Sequence, residues 1–270
     1  MDFLPLIRRG ALSGLAAGLV SGLFSLAVAE PTLDRAVRLE TARVAGEQTR
    51  ARAAGVSVEY HADVFSRSTQ HAGLVLAAVV TGIALGVLFA VVDGLVRRRR
   101  EPGPASWGQS MRLAGAGFVG VWLLPFLRYP ANPPGVGDPG TVDARTHAWL
   151  GAIAVSVLIV GGAWQLDQLL KDHRTGLALR QLAALGLIVA GLVGLIVVLP
   201  GNPDPIDVPA TLLWNFRLLA VAAAALLWGC LGAGYAALGW KAHRPVPRPA
   251  PAEPATAEDR QRLLSGPHAR

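Results

Sequence analysis

Six long blocks of this sequence contain almost no charged residues, and they limit the folds that the chain can adopt. The blocks lie at residues 12–29, 74–96, 113–127, 148–166, 177–199 and 218–238. A helix needs about 20 predominantly apolar residues to cross a bilayer, with a range of roughly 17–25. Five blocks reach this length with a flanking residue or two, and the third is short unless residues 107–112 extend it.

The composition points to the same class of protein. The chain is 52% hydrophobic and 16% charged, whereas a soluble domain contains about 25% charged residues. We therefore predict an all-α, polytopic membrane helix bundle over residues 1–241, surrounded by the lipid bilayer. About six transmembrane helices are expected, at about 11–29, 74–96, 109–127, 148–166, 177–199 and 215–239. Residues 242–270, rich in Pro, Ala and charge, are predicted to form a disordered cytoplasmic tail.

The distribution of charge predicts the topology. One side of the predicted bundle comprises the N-terminus, the 97–112 loop, the 171–180 loop and the tail, and with Asp93 and Asp167 at the adjoining helix ends it holds sixteen Lys/Arg and eight Asp/Glu. The other side holds nine Lys/Arg and ten Asp/Glu. Because basic residues accumulate in cytoplasmic loops, both termini are predicted inside the cell. The net charge of +7 is then a topology signal and not evidence for a nucleic-acid partner.

Sequence motifs for catalysis are absent. The chain has no phosphate-binding loop, no G-x-S-x-G, no H-E-x-x-H and no C-x-x-C, and its one cysteine, Cys230, lies in an apolar block. We therefore predict no enzymatic activity and no permanently bound cofactor. The start of the chain leaves an alternative open, because Arg8-Arg9, an apolar stretch and Ala27-Val28-Ala29 resemble a cleaved signal peptide.

Two features flank the first predicted membrane helix. Gly10, Gly14, Gly18 and Gly22 repeat every four residues, which places them on one helix face. Small residues at this spacing allow close helix packing in lipid, either within this protein or against a separate subunit. The stretch from Pro31 to about residue 53 has an amphipathic pattern, and we expect an extracytoplasmic amphipathic helix lying on the outer surface.

A proline- and glycine-rich run follows the third block. Five prolines and three glycines fall between residues 125 and 140. Proline fixes φ and glycine permits positive φ, so this run forms an irregular turn structure. It is either a stiff connector or a shaped mouth at the outer membrane face.

Polar residues gather on the predicted outer side. Carboxylates and imidazoles together suit Co²⁺, Ni²⁺ or Zn²⁺, so we take the following as candidate metal ligands, with solvated loop residues as the alternative: His71, Asp138, His147, His61 and Asp63. A second set is assigned structural or gating roles: Glu30, Asp34, Arg67, Arg128, Asn132 and Arg217. Arg217 either snorkels to the interface or pairs with an outer carboxylate such as Glu30 or Asp207. Near the inner end of the second helix, Asp93 is expected to pair with the arginines at 97–100.

Several of these residues resemble the CbtA family. The resemblance covers about residues 6–240, and its strongest part is residues 117–141, GFVGVWLLPFLRYPANPPGVGDPGT, with Arg145-Thr146 after it. Glu30-Pro31 with Asp34-Arg35-Ala36, Ser66-Arg67 with Gln70, residues 82–89, residues 213–218 and Leu227-Trp228 complete the set. The resemblance implies a bacterial inner-membrane subunit that acts in cobalt uptake for cobalamin synthesis. It also implies a small single-span partner, CbtB, whose histidine-bearing segment handles the metal.

The leading hypothesis is a membrane subunit of a Co²⁺ uptake system, with the metal entering through an outer vestibule near residues 125–147 and the end of the 30–71 loop. The alternative is a non-transporting scaffold that anchors a single-span partner through the glycine face of the first helix. Cobalt and nickel are nearly equivalent for such ligands.

Overall fold

The computed structural model describes residues 3–55, 66–98, 107–134, 136–201, 204, 206 and 208–242. The predicted tail, together with His61, Asp63 and Asp207, lies outside these residues. The α-helices are α1 Phe3–Phe24, α2 Glu30–Ala53, α3 Arg67–Arg98, α4 Trp107–Gly117, α5 Leu124–Arg128, α6 Val142–Asp172, α7 Leu177–Val198 and α8 Ala210–Ala242. Within the described part of the chain there is no β-strand.

Six helical segments are long and apolar enough to cross a membrane, as the apolar blocks predict. The third segment begins at Trp107 and runs to Arg128, so residues 107–112 do extend the short block. Several helices continue past the apolar blocks. For example, α6 begins at Val142 and α3 begins at Arg67, because polar residues at a membrane surface keep helical hydrogen bonds once the apolar part has nucleated the helix. The predicted all-α membrane bundle is confirmed.

The amphipathic segment after α1 is helical to Ala53 as predicted, but it does not form a separate surface helix. It continues α1 in a single run, Phe3–Ala53, of 51 residues. At about 1.5 Å per residue this run is roughly 77 Å long, more than twice the thickness of a bilayer core. The backbone stays helical at the join, at Phe24 and at Glu30. α2 therefore extends directly from the bundle.

Two π-helical turns interrupt the long helices, and each precedes a proline. Ser25–Ala29 is followed by Pro31, and Phe118–Leu123 is followed by Pro125. In both cases the proline lies two residues after the π-turn ends. Proline cannot donate the usual backbone hydrogen bond, and its ring presses on the carbonyl of the preceding turn. The wider π-turn relieves this conflict and lets each helix continue past its proline.

The helices pack in two groups that one helical segment joins. α1 packs against α3 and α8, and α6 packs against α7. α4 contacts α8, and the π-turn Phe118–Leu123 contacts α6, so this third segment joins the groups. The main buried cluster comes from α1, α3, α4 and α8: Ala17, Phe89, Ala90, Ala114, Leu227, Trp228, Leu231 and Tyr235. Large apolar side chains outside it are exposed, up to 81% at Val198, as expected for surfaces that face lipid.

The glycine face of α1 lies directly on α3. A Cβ atom at Gly14 would collide with the carbonyl oxygen of Gly82, and one at Gly10 would collide with that of Gly86. Gly18 meets Ala78 in the same way. Glycine therefore allows backbone-to-backbone contact between these two helices. The structure therefore agrees with the first interpretation of the glycine face, which is packing within this protein.

Candidate functional site

The proline-rich run on the outer side is tied to the ends of two helices. Arg217, in the second turn of α8, donates to the carbonyl of Ala131 at 3.3 Å and to Asn132 Oδ1 at 3.1 Å. Arg128 Nη2 donates to the carbonyl of Leu199 at 2.6 Å, just after α7. Arg217 therefore bonds to this run, because the run passes next to the start of α8; Asp207 lies outside the described residues, so its pairing with Arg217 stays a prediction.

The other end of the run is held by an aspartate from the loop before α8. Asp204 is 8% exposed. It accepts a hydrogen bond from Thr141 Oγ1 at 3.0 Å and lies 3.2 Å from Arg145 Nη1. Gly137 has φ +112°, and a Cβ there would collide with the Arg145 guanidinium. The run is thus fixed to α6 as well as to α7 and α8.

A cavity of about 510 Å³ adjoins this run on the outer half of the bundle. Its walls are mainly aromatic and small apolar side chains, and the described residues that line it include no Asp, Glu, His, Lys or Arg. Two of the lining rings, Trp122 and Phe126, stack with centroids 4.5 Å apart, and Phe118, which is not in the lining, stacks on Trp122 at 5.8 Å. Sequence reasoning expects an outer vestibule near residues 125–147 but missed the aromatic lining, although the four-residue spacing of these aromatics is a signal for the stack.

Four of the predicted residues come together where α2 begins and α3 begins. Glu30, whose side chain is 12% exposed, lies 2.5 Å from Arg67 Nη2 and 2.7 Å from His71 Nε2 through its Oε1 atom. Arg67 also pairs with Asp34. The group therefore holds two carboxylates, one guanidinium and one imidazole. Glu30 is nine residues along the helix from Ser21, a cavity-lining residue, which corresponds to about 14 Å.

A buried polar network closes the inner end of the bundle. Asp93 is 0% exposed. It accepts hydrogen bonds from Tyr235 Oη at 2.9 Å and Gln109 Nε2 at 3.3 Å. Arg97 Nε lies 2.7 Å away, which confirms the predicted pairing, and the Arg9 guanidinium lies 3.7 Å from the centroid of the Tyr235 ring. The network joins α1, α3, α4 and α8, since a buried charge requires such partners.

Comparison with known proteins decides the family. The family model described as "Probable cobalt transporter subunit (CbtA)" matches residues 3–239. This chain belongs to the CbtA family. The search of curated proteins and the search of solved structures each found no match.

Membership of the CbtA family confirms the resemblance noted in the sequence and makes this chain a transporter subunit that crosses the membrane several times. Membership of a family of transporter subunits indicates a non-enzymatic role for this chain. The match contains every described site residue, from Arg9 and Glu30 to Arg217 and Tyr235.

The three predicted metal ligands that the structure describes make separate contacts. His71 contacts Glu30, whereas Asp138 accepts the Gly140 N–H at 2.7 Å within its own turn. His147 uses its Nδ1 atom for the carbonyl of Asp143, at 2.7 Å, on the same helix. Over the described ranges, no group of three or more His, Cys, Asp or Glu residues is arranged to hold a metal ion. His61 and Asp63 lie outside those ranges, so the full ligand set stays a prediction.

Proposed function

We propose that this chain is the membrane subunit through which Co²⁺ enters the cell for cobalamin synthesis, with the metal arriving from the outer side. The observation that carries the proposal is the CbtA family match across residues 3–239. The family supplies the role of transporter subunit, and the outer-side route is inferred from the geometry of this chain.

The first contact of the metal is assigned to the group formed by Glu30, Asp34, Arg67 and His71. Carboxylate oxygens and an imidazole nitrogen are suitable ligands for Co²⁺. In this structure Arg67 neutralises both carboxylates. A divalent cation that reaches the group competes with the guanidinium for the same oxygens. Of the predicted ligands, His71 is therefore the one that we retain for the first step. His61, Asp63, Asp138 and His147 remain candidates for later contacts.

The cavity below the proline-rich run provides the next part of the route. Its volume of about 510 Å³ exceeds the roughly 180 Å³ that six waters occupy at about 30 Å³ each. A Co²⁺ ion with its first hydration shell therefore fits. The aromatic walls offer no strong ligand, so the ion would keep its water there instead of binding tightly.

The inner side is closed in this conformation. Leu227 and Trp228 line the cavity and also belong to the buried cluster, and the Asp93 network lies beyond them. Release into the cell therefore requires α1, α3, α4 and α8 to separate at their inner ends. The single-span partner implied by the family is proposed to receive or deliver the metal, because this chain, with six histidines, has no histidine-rich segment.

The test is cellular cobalt content in a bacterium deficient in cobalt uptake, with this chain expressed alone and with its single-span partner. We expect accumulation that depends on this chain. His71→Ala should lower the initial uptake rate at limiting cobalt by about tenfold, the lower end of the loss seen when a metal site is disturbed.

The matched control is His173→Ala, which removes an exposed histidine at the inner end of α6. It should transport like the parent protein. If neither cobalt nor nickel accumulates in any strain, although the protein is present in the membrane, the scaffold alternative replaces transport. That alternative needs a surface other than the glycine face, which α3 occupies in this structure.

A further inference from the structure

Two apolar clefts open on the inner half of the bundle. One, of about 320 Å³, lies between α4, α6 and α7, and the other, of about 380 Å³, lies between α3, α4, the following π-turn and α6. They share Ala116, Val160 and Trp164. The first cleft reaches Ile188, eleven residues into α7 from Leu177, so it extends about 16 Å from the start of that helix.

An exposed arginine lies at the mouth of the first cleft. Arg112 lines this cleft and is exposed. Asp167 lines the same cleft, but its two carboxylate oxygens are taken by Arg180, at 2.7 Å and 2.8 Å from Nη2. No Asp or Glu in the described part of the chain forms an ion pair with Arg112. The mouth therefore carries a net positive charge above an apolar interior.

The position of this mouth matches the inner surface of the membrane. Arg112 lies in the second turn of α4, and Asp167 lies in the last two turns of α6, on the side where basic residues are in excess. Anionic lipids of the cytoplasmic leaflet attract basic residues at this depth. Trp164, which lines both clefts, is a residue type that favours the region near the headgroups.

We propose that these clefts bind an anionic phospholipid of the inner leaflet, with its phosphate on Arg112 and an acyl chain in the apolar interior. Charge complementarity favours this occupant, since a guanidinium pairs well with a phosphate. An apolar partner helix would bring no anion to the Arg112 guanidinium at the edge of the cleft.

The experiment compares lipids on the purified full-length chain by native mass spectrometry. Phosphatidylglycerol, which is anionic, and phosphatidylcholine, which is zwitterionic, carry the same acyl chains, and inorganic phosphate is the third probe. The parent protein should bind phosphatidylglycerol about tenfold more tightly, because the choline cation of phosphatidylcholine lies next to the phosphate and repels the Arg112 guanidinium, whereas the glycerol headgroup is neutral. Inorganic phosphate at millimolar concentration should not displace it.

Two sets of variants separate the headgroup from the chain. Arg112→Gln should abolish the preference for phosphatidylglycerol, whereas Lys171→Gln removes an exposed inner-face charge outside the clefts and should keep it. Gly115→Leu and Gly161→Leu place side chains into the open space of the clefts and should weaken both lipids. Gly186→Leu, an equally open glycine outside the clefts, is their control.

The proposal is overturned by unchanged lipid preference in Arg112→Gln, by full displacement with inorganic phosphate, or by a single-span subunit that replaces the lipid in the clefts. Gel filtration of each variant excludes misfolding as the cause of a loss. The binding assay contains no cobalt and is independent of the proposed transport, so either proposal can fail without the other.

Discussion

The inner and outer halves of the bundle are built on different principles. At the inner end, four helices meet around the fully buried carboxylate of Asp93, and Gly10 and Gly86 bring α1 and α3 into backbone contact. On the outer half, a cavity of about 510 Å³ lies between the helices, and arginines hold the loops at the helix ends. The two halves therefore differ in what they contain, a buried ionic network at the inner end and an apolar cavity on the outer half, and the proposed uptake route rests on this difference.

The largest expected effect comes from the close contact of α1 and α3. Gly14→Leu forces a side chain into the carbonyl oxygen of Gly82, where neither backbone has room to move. We expect the bundle not to assemble, because overpacking of this kind exceeds the usual cost of about 1–3 kcal/mol. The measurement is the amount of folded protein in detergent extracts, by fluorescence-detected gel filtration.

Gly73→Leu is the matched control, since Gly73 lies in α3 with open space around its Cβ position. It should accumulate like the parent protein. Equal yields of Gly14→Leu and the parent would mean that the two helices are not in backbone contact.

The inner network gives the next largest effect. Asp93→Asn removes the buried anion that faces Arg97 and Tyr235. Loss of one partner of a buried ion pair costs about 3–5 kcal/mol, so we expect a large drop in the melting temperature of the purified protein. Asp172→Asn, at an exposed position in the last turn of α6, should leave the melting temperature unchanged. A small effect at Asp93 would show that the inner end is not held by this network.

The outer ties should matter less for stability. Arg217→Ala removes the bonds to Ala131 and Asn132 and should cost about 1–2 kcal/mol. Limited proteolysis between residues 125 and 145 should become faster, since that run loses one of its attachments. Arg43→Ala is the control, because Arg43 makes only an exposed i,i+4 pair at 3.8 Å, which is worth less than about 1 kcal/mol. If the protease cleaves Arg217→Ala and Arg43→Ala between residues 125 and 145 at the same rate, Arg217 does not hold the run.

The sequence predicts the part of this fold that depends on single helices. Blocks of apolar residues predict six helices because the bilayer imposes their length. The four-residue glycine period predicts a close-packed face. Helix ends are predicted less well, because α3 and α6 keep their hydrogen bonds through polar residues beyond the apolar blocks.

The parts that depend on contacts between distant segments could not be predicted. Tyr235 and Asp93 are 142 residues apart in the chain, and nothing in either local pattern indicates that α8 lies beside α3. The sequence indicates the charged residues near Glu30 individually. It does not predict that Arg67 lies between two carboxylates, because this arrangement depends on α2 continuing α1. The cavity is lined by residues from several helices, and no single helix pattern encodes it.

The outer accessibility of the cavity is the central claim, and the single native cysteine makes it measurable. In a Cys230→Ser background, Thr81→Cys places one thiol on the cavity wall. A charged, membrane-impermeant thiol reagent added outside intact cells should label this position and stop cobalt accumulation. Gly186→Cys, on the exposed surface of α7, should not be labelled. Cobalt accumulation that continues unchanged after complete labelling at residue 81, or no labelling from outside, would contradict the account.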